Sequence, residues 1–307
     1  MGSSAKTFVV LFSRKGLGMQ ATQSATNHLK RCKPLLGTYV EVTVTSESDD
    51  NTLLDITEAV FSEIHRIENL MSFHNPDSEL SYLNREAYRH PCPISQDMEQ
   101  VLTTALNLSK KTNGIYDITT ASSLVRNGLL PNNFPGVDEQ ANWQDVSIVN
   151  GSISFDRKVL LDLGGIAKGY AVDRALRRVE NQVENITVNA GGDLRMKEWS
   201  GESVGIKASN TKGLKSMICV PMYQAAVATS ANYYMDNNKF SIIHPRTKKA
   251  TKDKKSISVF ASSCMLADAL TKVAFLDTNF KAVINSFGAK AIFLDESGNI
   301  NDLFEVF

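Results

Sequence analysis

Residues 160–175 read LLDLGGIAKGYAVDRA, and the rest of the chain is organised around this stretch. The apolar run at residues 159–161 predicts the end of a buried strand. Asp162 and two glycines follow, and the residues after Gly165 predict an amphipathic helix. A strand, a carboxylate, glycines and a helix N-terminus form a common ligand-binding turn, because glycine lets backbone approach a ligand and the first helical turn has free N–H groups.

Two charged residues of this stretch favour an anionic ligand. Lys168 lies in the first helical turn, where the helix dipole disfavours a cation, so a bound phosphate would account for it. Asp162 follows an apolar run, where an unpaired carboxylate would be costly. The spacing matches neither GxxxxGK[ST] nor GxGxxG, so a nucleotide would be held in another way. For the glycine pair alone, a plain strand-to-helix turn is the competing interpretation.

The composition is that of an ordinary globular protein. The chain has 307 residues, of which 42% are hydrophobic and 21% are charged. Because 33 basic residues balance 33 acidic ones, bulk charge predicts no binding to nucleic acid or to an anionic membrane. The cysteines show no CxxC spacing and predict buried thiols in a reducing, cytoplasmic compartment; they are Cys32, Cys92, Cys219 and Cys264.

The domain organisation is expected to be simple. Residues 1–30 predict a poorly ordered or degenerate leader, since the apolar run at residues 7–12 is shorter than the roughly 7–15 residues of a secretory core. No stretch approaches the roughly 18 apolar residues of a membrane span. Residues 31–307 are expected to form a single domain, with room for two subdomains.

Hydrophobic periodicity predicts both helices and strands. Helices are expected over residues 53–71, 96–112, 166–181 and 265–276. Strands are expected over residues 39–44, 152–155, 186–189, 203–207, 216–220, 225–230, 240–247, 257–260 and 289–294. Long helices separate groups of strands without strict βαβ alternation, which favours an α+β fold with mixed sheets and packed helices.

Eight motifs occur in one order and register. Each is weak alone, but the match that they define runs from about residue 34 to residue 294, nearly the whole folded chain. They are PLLGT (34–38), MSFHNPDSELSYLN (71–84), GIYDIT (114–119), DLGGIAKGYAVDRA (162–175), VNAGGDLR (188–195), AVATSANY (226–233), IIHPRT (242–247) and SVFASSCMLADAL (258–270). With these motifs the chain resembles the ApbE family of FAD:protein FMN transferases.

The resemblance implies a specific activity. Such enzymes cleave the FAD pyrophosphate with Mg²⁺, transfer FMN to a Thr or Ser hydroxyl of a target flavoprotein, and release AMP. The implied fold is α+β, with the flavin nucleotide between subdomains. The implied acceptor is a flavoprotein such as a subunit of a membrane redox complex, which would place the enzyme at the periplasmic face of the inner membrane, in contrast to the cytoplasm that the sequence itself predicts.

The resemblance also implies a set of site residues. The FAD-binding positions are His74, Ile115, Tyr116, Asp117, Asp162, Lys168 and Ile242. The metal-binding positions are Gly165, through its backbone carbonyl, Asp268 and Thr271. The catalytic positions are His244 and Lys272.

Three positions depart from the family pattern. His74 stands where a flavin-stacking tyrosine is common, and an imidazole can still stack. Ser241 stands at the usual histidine position, with His244 three residues later. Lys272 stands where a threonine metal ligand is common. An ammonium cannot ligate Mg²⁺, so either Thr271 substitutes, or Lys272 supplies charge to the phosphates, or metal binding is weakened. A solvent-exposed Lys272 is the competing interpretation.

Two other functions are compatible with these residues. The first is a flavin-nucleotide carrier or assembly protein without transfer activity, which the changes at Ser241 and Lys272 motivate. The second is an Mg²⁺-dependent FAD pyrophosphatase, in which water replaces the protein hydroxyl. Metal-dependent turnover separates an enzyme from a carrier, and release of FMN without an acceptor identifies a pyrophosphatase.

Overall fold

The computed structural model describes residues 10–12, 26–209, 215–231, 242–251, 253, 255–277, 279–294 and 300–303. The predicted leader therefore lies outside the described residues, except for residues 10–12 and 26–30. Ser241 and part of the strand expected over residues 240–247 also lie outside them.

Helices and strands are both present throughout the described ranges. The helices are α1 (Asp50–Met71), α2 (Glu79–Glu86), α3 (Gln96–Lys111), α4 (Ala121–Arg126), α5 (Ala167–Val179), α6 (Cys264–Leu276) and α7 (Phe280–Ser286). The strands are β1 (Val10–Phe12), β2 (Asn27–Leu35), β3 (Thr38–Ser46), β4 (Cys92–Pro93), β5 (Val146–Val149), β6 (Ser152–Phe155), β7 (Asn185–Ala190), β8 (Asp193–Met196), β9 (Ser203–Ser209), β10 (Lys215–Pro221), β11 (Ala226–Ala231), β12 (Ile243–His244), β13 (Lys249–Ala250), β14 (Ser256–Ala261), β15 (Lys290–Leu294) and β16 (Ile300–Leu303).

The strands that the structure describes form one large sheet and three small ones. The large sheet has eight antiparallel strands in the order β16-β15-β14-β11-β8-β7-β3-β2. The smaller sheets have the orders β1-β9-β10, β4-β6-β5 and β12-β13. This architecture confirms the expected α+β fold.

The large sheet separates two apolar cores. Helices α1, α5 and α6 pack together and against the strands on one face of the sheet, where they bury the main core. A smaller cluster joins the sheet to β9 and β10, through residues such as Leu194, Ile206 and Phe260. No helix in the described ranges is both long and apolar enough to cross a membrane.

The helix N-termini show why α5 differs from the other long helices. Side chains of Asp49, Ser95 and Ser263 accept hydrogen bonds from backbone N–H groups in the first turns of α1, α3 and α6, as good N-cap residues do. At α5 the N-cap is Ile166, and no side chain caps the helix. Two first-turn N–H groups of α5 have other partners within the protein: Ala167 N–H donates to Leu163 O at 2.8 Å, and Gly169 N–H donates to Asp268 Oδ2 at 3.4 Å.

The strand predicted at residues 159–161 is wrong. These residues are buried, as expected, but they lie in no sheet. The Asn84 side chain instead accepts from Leu161 N–H at 2.8 Å and donates to its carbonyl at 3.0 Å, and Asp162 N–H donates to Ile118 O at 2.8 Å. A buried apolar segment must pair its backbone groups, and here a side chain and a loop carbonyl supply the partners.

The ordered fold begins before residue 31. Strand β2 starts at Asn27 and pairs with β3 along its whole length, and β1 pairs with β9. Leu36 and Gly37 join β2 to β3 with φ values of 56° and 66°, a two-residue hairpin turn. Sequence reasoning missed this hairpin because β2 alternates only between half-buried and exposed residues.

The thiol prediction is half right. None of the four cysteines, which all lie in the described ranges, forms a disulfide; Cys92 and Cys264 are buried, but Cys32 and Cys219 are exposed. The two exposed cysteines lie in strands that show one face to solvent, β2 and β10, so a thiol on that face stays accessible.

Candidate active site

The site forms where α5 and α6 approach each other closely. A Cβ atom placed on Gly169 of α5 would lie 2.3 Å from the carbonyl oxygen of Cys264, the first residue of α6. Only glycine permits this distance between the helices. The α5 carboxylate Asp173 fixes the same contact, because it accepts from the N–H groups of Cys264 and Met265, each at 2.9 Å, and from Arg195 Nη1 at 2.6 Å.

Four side chains of alternating charge run through this contact: Asp193, Lys168, Asp268 and Lys272, here called the charge chain. Lys168 Nζ pairs with Asp193 Oδ2 and lies 3.8 Å from Asp268 Oδ2, and Lys272 Nζ pairs with Asp268 Oδ1. The carboxylate side chains are only 3% and 1% exposed, whereas those of Lys168 and Lys272 are 33% and 23% exposed. The two lysines are thus the more accessible members of the charge chain, and the two buried carboxylates hold their ammonium groups in place.

The ion pairs of the charge chain determine the protonation states of Asp268 and Lys168. Burial acts to raise the pKa of Asp268, but the ammonium groups of Lys168 and Lys272 outweigh it and lower that pKa below its usual value. Burial acts to lower the pKa of Lys168, but the charges of Asp193 and Asp268 outweigh it and raise that pKa. Asp268 is therefore a carboxylate, and Lys168 is an ammonium, at neutral pH.

Lys272 points into the site, which rules out the solvent-facing interpretation. Its Nζ lies 3.3 Å from the Asp268 carbonyl oxygen and 3.1 Å from Thr271 Oγ1, in addition to its ion pair with the Asp268 carboxylate. A Cβ atom placed on Gly165 would lie 3.1 Å from Lys272 Cε. The lysine stem therefore runs beside Gly165, and its ammonium lies next to two of the three residues expected to bind a metal.

The hydroxyl of Thr271 is fully used within the protein. It donates to the Asp268 carbonyl oxygen at 2.7 Å, so at the 2.7 Å contact with Ser230 Oγ the serine must be the donor. Lys272 Nζ provides a second donor at 3.1 Å. One donated and two accepted hydrogen bonds exhaust a hydroxyl group. The Thr271 hydroxyl is thus already hydrogen-bonded to three groups, and a metal ion at Thr271, which stays a prediction, would have to displace one of them.

Asp162 lies close to the charge chain and to the loop of residues 115–119. Burial raises the pKa of Asp162, while the Gly164 N–H at 3.2 Å and the charges of His74 and Lys272 oppose this rise. His74 is exposed. Asp162 therefore lies within electrostatic range of both the His74 imidazole and the Lys272 ammonium.

The loop of residues 115–119 brings two further expected residues to the site. Tyr116 is buried, and its pKa is raised well above the usual value by burial and by the charges of Asp268 and Asp162. Asp117 accepts from Thr119 N–H at 2.8 Å and from its hydroxyl at 2.7 Å, and burial raises its pKa. Ile115, which is half-buried, precedes them in the same loop.

The segment that contains Ile242 and His244 packs on the other side of this loop. Arg246 Nη2 donates to the Asn113 carbonyl oxygen at 2.9 Å. Ile242 is buried, and its carbonyl accepts from Thr251 N–H at 2.9 Å. His244 makes local contacts, with Thr247 N–H donating to its Nδ1 at 3.4 Å. A strand was expected over residues 240–247. Within the described part, residues 242–247, only Ile243–His244 form a strand, β12, and residues 245–247 form a turn.

An open groove lies between this segment and the loop. Its volume is about 350 Å³, and its walls include Gly114, Asp117, Trp143, Pro245, Arg246 and Lys248. Asp117 thus borders both the groove and the buried side of the loop.

Sequence reasoning missed two members of the site. Asp193 holds Lys168 in place, and Ser230 fills a lone pair of Thr271. Asp193 had a visible signal, because it follows the glycine pair of VNAGGDLR, a motif already recognised as significant. Ser230 also lies in a quoted motif, AVATSANY, but its contact with Thr271 depends on how β11 packs against α6.

The fold and the site define a class of protein. Two lysines held by buried carboxylates in an α+β scaffold suit a ligand that carries phosphate groups. A family model described as the ApbE family matches residues 36–293, and the chain belongs to that family.

Several curated relatives carry the name FAD:protein FMN transferase. The protein from Haemophilus influenzae is 26% identical over 299 residues, which cover 87% of this chain and 86% of the relative. The protein from Vibrio cholerae is 27% identical over 262 residues, which cover 77% of this chain and 78% of the relative. The Escherichia coli K12 protein is 26% identical over 241 residues, which cover 70% of this chain and 69% of the relative.

Solved structures share the fold. The flavin transferase ApbE from Vibrio cholerae superposes with a TM-score of 0.78 at 22% identity, covering 90% of this chain and 96% of that one. The ApbE protein of Thermotoga maritima gives a TM-score of 0.77 at 25% identity, and the match covers 90% of this chain and 97% of that one. The scaffold around the charge chain therefore has the fold of these ApbE structures.

Proposed function

We propose that this chain transfers FMN from FAD to a Thr or Ser hydroxyl of a target flavoprotein and releases AMP. The observation that carries the proposal is the pair of ammonium groups, Lys168 and Lys272, held towards the site by the buried Asp193 and Asp268. A pyrophosphate is the part of FAD that such a pair recognises. The names of the curated relatives supply the reaction.

The flavin half of FAD is proposed to lie along the loop of residues 115–119. Tyr116 and Asp117 belong to this loop, and Asp162 is hydrogen-bonded to it through its backbone. The exposed ring of His74 offers a stacking surface next to Asp162. On the opposite wall, Ile242 supplies apolar surface; Ile115 completes the proposed FAD-binding set.

In the proposed reaction, the acceptor hydroxyl oxygen attacks the phosphorus atom of the FMN half. The bond from this phosphorus to the bridging oxygen breaks, and its electron pair leaves with AMP. The hydroxyl proton passes to a base, for which His244 is the candidate because it adjoins the groove wall at Pro245. Lys168 and Lys272 stabilise the charge that shifts onto the phosphate oxygens as the bridging bond breaks.

The donor atoms at Asp268 do not fit the Mg²⁺ ion that the resemblance implies. Mg²⁺ needs several oxygen ligands at about 2.0–2.1 Å. Gly165 and Asp268 offer a carbonyl and a carboxylate, but the Lys272 ammonium already pairs with that carboxylate, and the Thr271 hydroxyl is fully bonded. No step of the proposed reaction therefore passes through a metal ion at this position.

The acceptor is proposed to be a flavoprotein subunit of a membrane redox complex, with no role for nucleic acid. A cytoplasmic enzyme and one at the periplasmic face of the inner membrane would meet different acceptors. Cell fractionation, with an antibody against this chain, decides between the two compartments.

The test is the intact mass of a candidate acceptor after incubation with FAD and the enzyme. We expect a covalent gain of one FMN less one water, and loss of this gain when the acceptor hydroxyl residue is changed to alanine or valine. Free FMN and AMP with an unmodified acceptor would identify the FAD pyrophosphatase. Bound, intact FAD would identify the carrier.

A further inference from the structure

The Lys272 ammonium occupies the place where a cation is expected at this site. Its Nζ pairs with the Asp268 carboxylate and lies 3.3 Å from the Asp268 carbonyl and 3.1 Å from Thr271 Oγ1. Its stem passes Gly165 at contact distance. These three residues are the ones that the sequence pattern assigned to a metal, so the lysine and a metal would compete for the same oxygen atoms.

The formal charges within the charge chain balance one another. Two carboxylates, Asp193 and Asp268, face two ammonium groups, Lys168 and Lys272. Asp268 Oδ2 also lies 3.4 Å from Gly169 N–H, so both of its oxygens have cationic or N–H neighbours. A divalent ion next to Asp268 would add two positive charges close to an ammonium that has no lone pair to offer.

We propose that Lys272 is the resident cation of this site, and that the chain binds and cleaves FAD without a divalent metal ion. The inference rests on the proposed flavin transfer, and it replaces the metal of that reaction by a side chain. The bonds that form and break are unchanged: the acceptor oxygen bonds to the FMN phosphorus, and AMP leaves with the electron pair of the bridging bond. Lys272 contributes its charge without entering either bond.

The first test measures Mn²⁺ binding by electron paramagnetic resonance, with FAD present and absent. The parent chain should bind no stoichiometric Mn²⁺. Lys272→Thr removes the ammonium and adds a hydroxyl, so it should bind one Mn²⁺ at least tenfold more tightly than the parent. Lys110→Thr, an exposed lysine on α3, is the matched control and should behave like the parent. Circular dichroism checks that each variant is folded.

Two results of this test would overturn the inference. Stoichiometric Mn²⁺ binding by the parent would show that Lys272 leaves room for a metal. Failure of both folded variants, Lys272→Thr and Lys272→Ser, to bind Mn²⁺ would show that Lys272 does not stand at a metal position.

The second test measures AMP release from FAD in excess EDTA or in Mg²⁺. The parent rate should agree within about twofold between the two conditions, whereas the Lys272→Thr rate should fall at least tenfold in EDTA and recover in Mg²⁺. A tenfold loss for the parent in EDTA would refute metal-free cleavage. If no variant releases AMP under any condition, the proposed function fails, and the Mn²⁺ measurements still decide whether Lys272 replaces a metal.

Discussion

At the scale of single residues, Asp268 is the buried carboxylate on which two ion pairs depend. It is fully buried and is shared by Lys168 and Lys272. Removing one partner of a buried ion pair leaves uncompensated charge, which costs about 3–5 kcal/mol. We therefore expect Asp268→Asn to abolish FAD cleavage and to lower the free energy of unfolding by about this amount, measured by denaturant titration.

A double-mutant cycle tests whether this cost comes from the unpaired lysine. Lys272→Met removes the charge and keeps the length of the side chain. Added to Asp268→Asn, it should restore part of the lost stability, so the two changes together cost less than their sum. Strictly additive costs would mean that the Asp268–Lys272 pair does not contribute to stability.

Lys168 is expected to recognise the pyrophosphate. FAD carries two phosphates and FMN carries one, so the parent should bind FAD more tightly than FMN in calorimetric titration. Lys168→Met should weaken FAD binding at least tenfold, or about 1.4 kcal/mol, and should narrow the difference between FAD and FMN. Lys110→Met serves as the control. Equal loss of affinity for the two ligands would place the Lys168 contact elsewhere.

At the scale of secondary-structure elements, the contact between α5 and α6 positions both lysines. Gly169 allows this contact, since a Cβ there would lie 2.3 Å from Cys264 O. Alanine favours a helix over glycine by about 1 kcal/mol, but we expect Gly169→Ala to be destabilising by about 1–3 kcal/mol, because the helices must separate. Thermal unfolding measures the change.

The sign of the change makes the Gly169→Ala result decisive. Arg177→Ala, on the exposed part of the same helix, should change the free energy of unfolding by no more than about 0.5 kcal/mol. A Gly169→Ala variant more stable than the parent would show that helix propensity dominates and that α5 and α6 can move apart without a loss of stability.

The elements that sequence reasoning found are those with a strong local pattern. Helices α1, α3, α5 and α6 have apolar residues at helical spacing, and their bounds agree with expectation within a few residues. The run at residues 159–161 has the composition of a strand, but Leu161 pairs with the Asn84 side chain, 77 positions away in sequence, and the next residue, Asp162, pairs with Ile118. No local pattern encodes a partner at that distance.

At the scale of the whole molecule, the same limit applies to the site. The sequence pattern placed Asp162, Lys168 and Asp268 in it, because each sits in a recognisable motif. The satisfied hydroxyl of Thr271 depends on Ser230 of β11, and the support of Lys168 depends on Asp193 of β8. These contacts exist only when the large sheet and the helices of its covered face have assembled.

The proposed transfer fixes the stoichiometry of its products. A transferase that cleaves FAD must release one AMP for each FMN that becomes attached to the acceptor, whereas a pyrophosphatase leaves FMN free, and a carrier releases nothing. Chromatographic quantification of AMP, free FMN and acceptor-bound FMN in one reaction therefore separates the three functions.

The ratio of AMP to covalently bound FMN is the most direct measurement of the central claim. The proposed transfer predicts a ratio of about one, as the balance of bonds requires, with no free FMN above the level of an enzyme-free control. AMP accompanied by an equal amount of free FMN, or FAD recovered intact from the parent enzyme and acceptor, would contradict it.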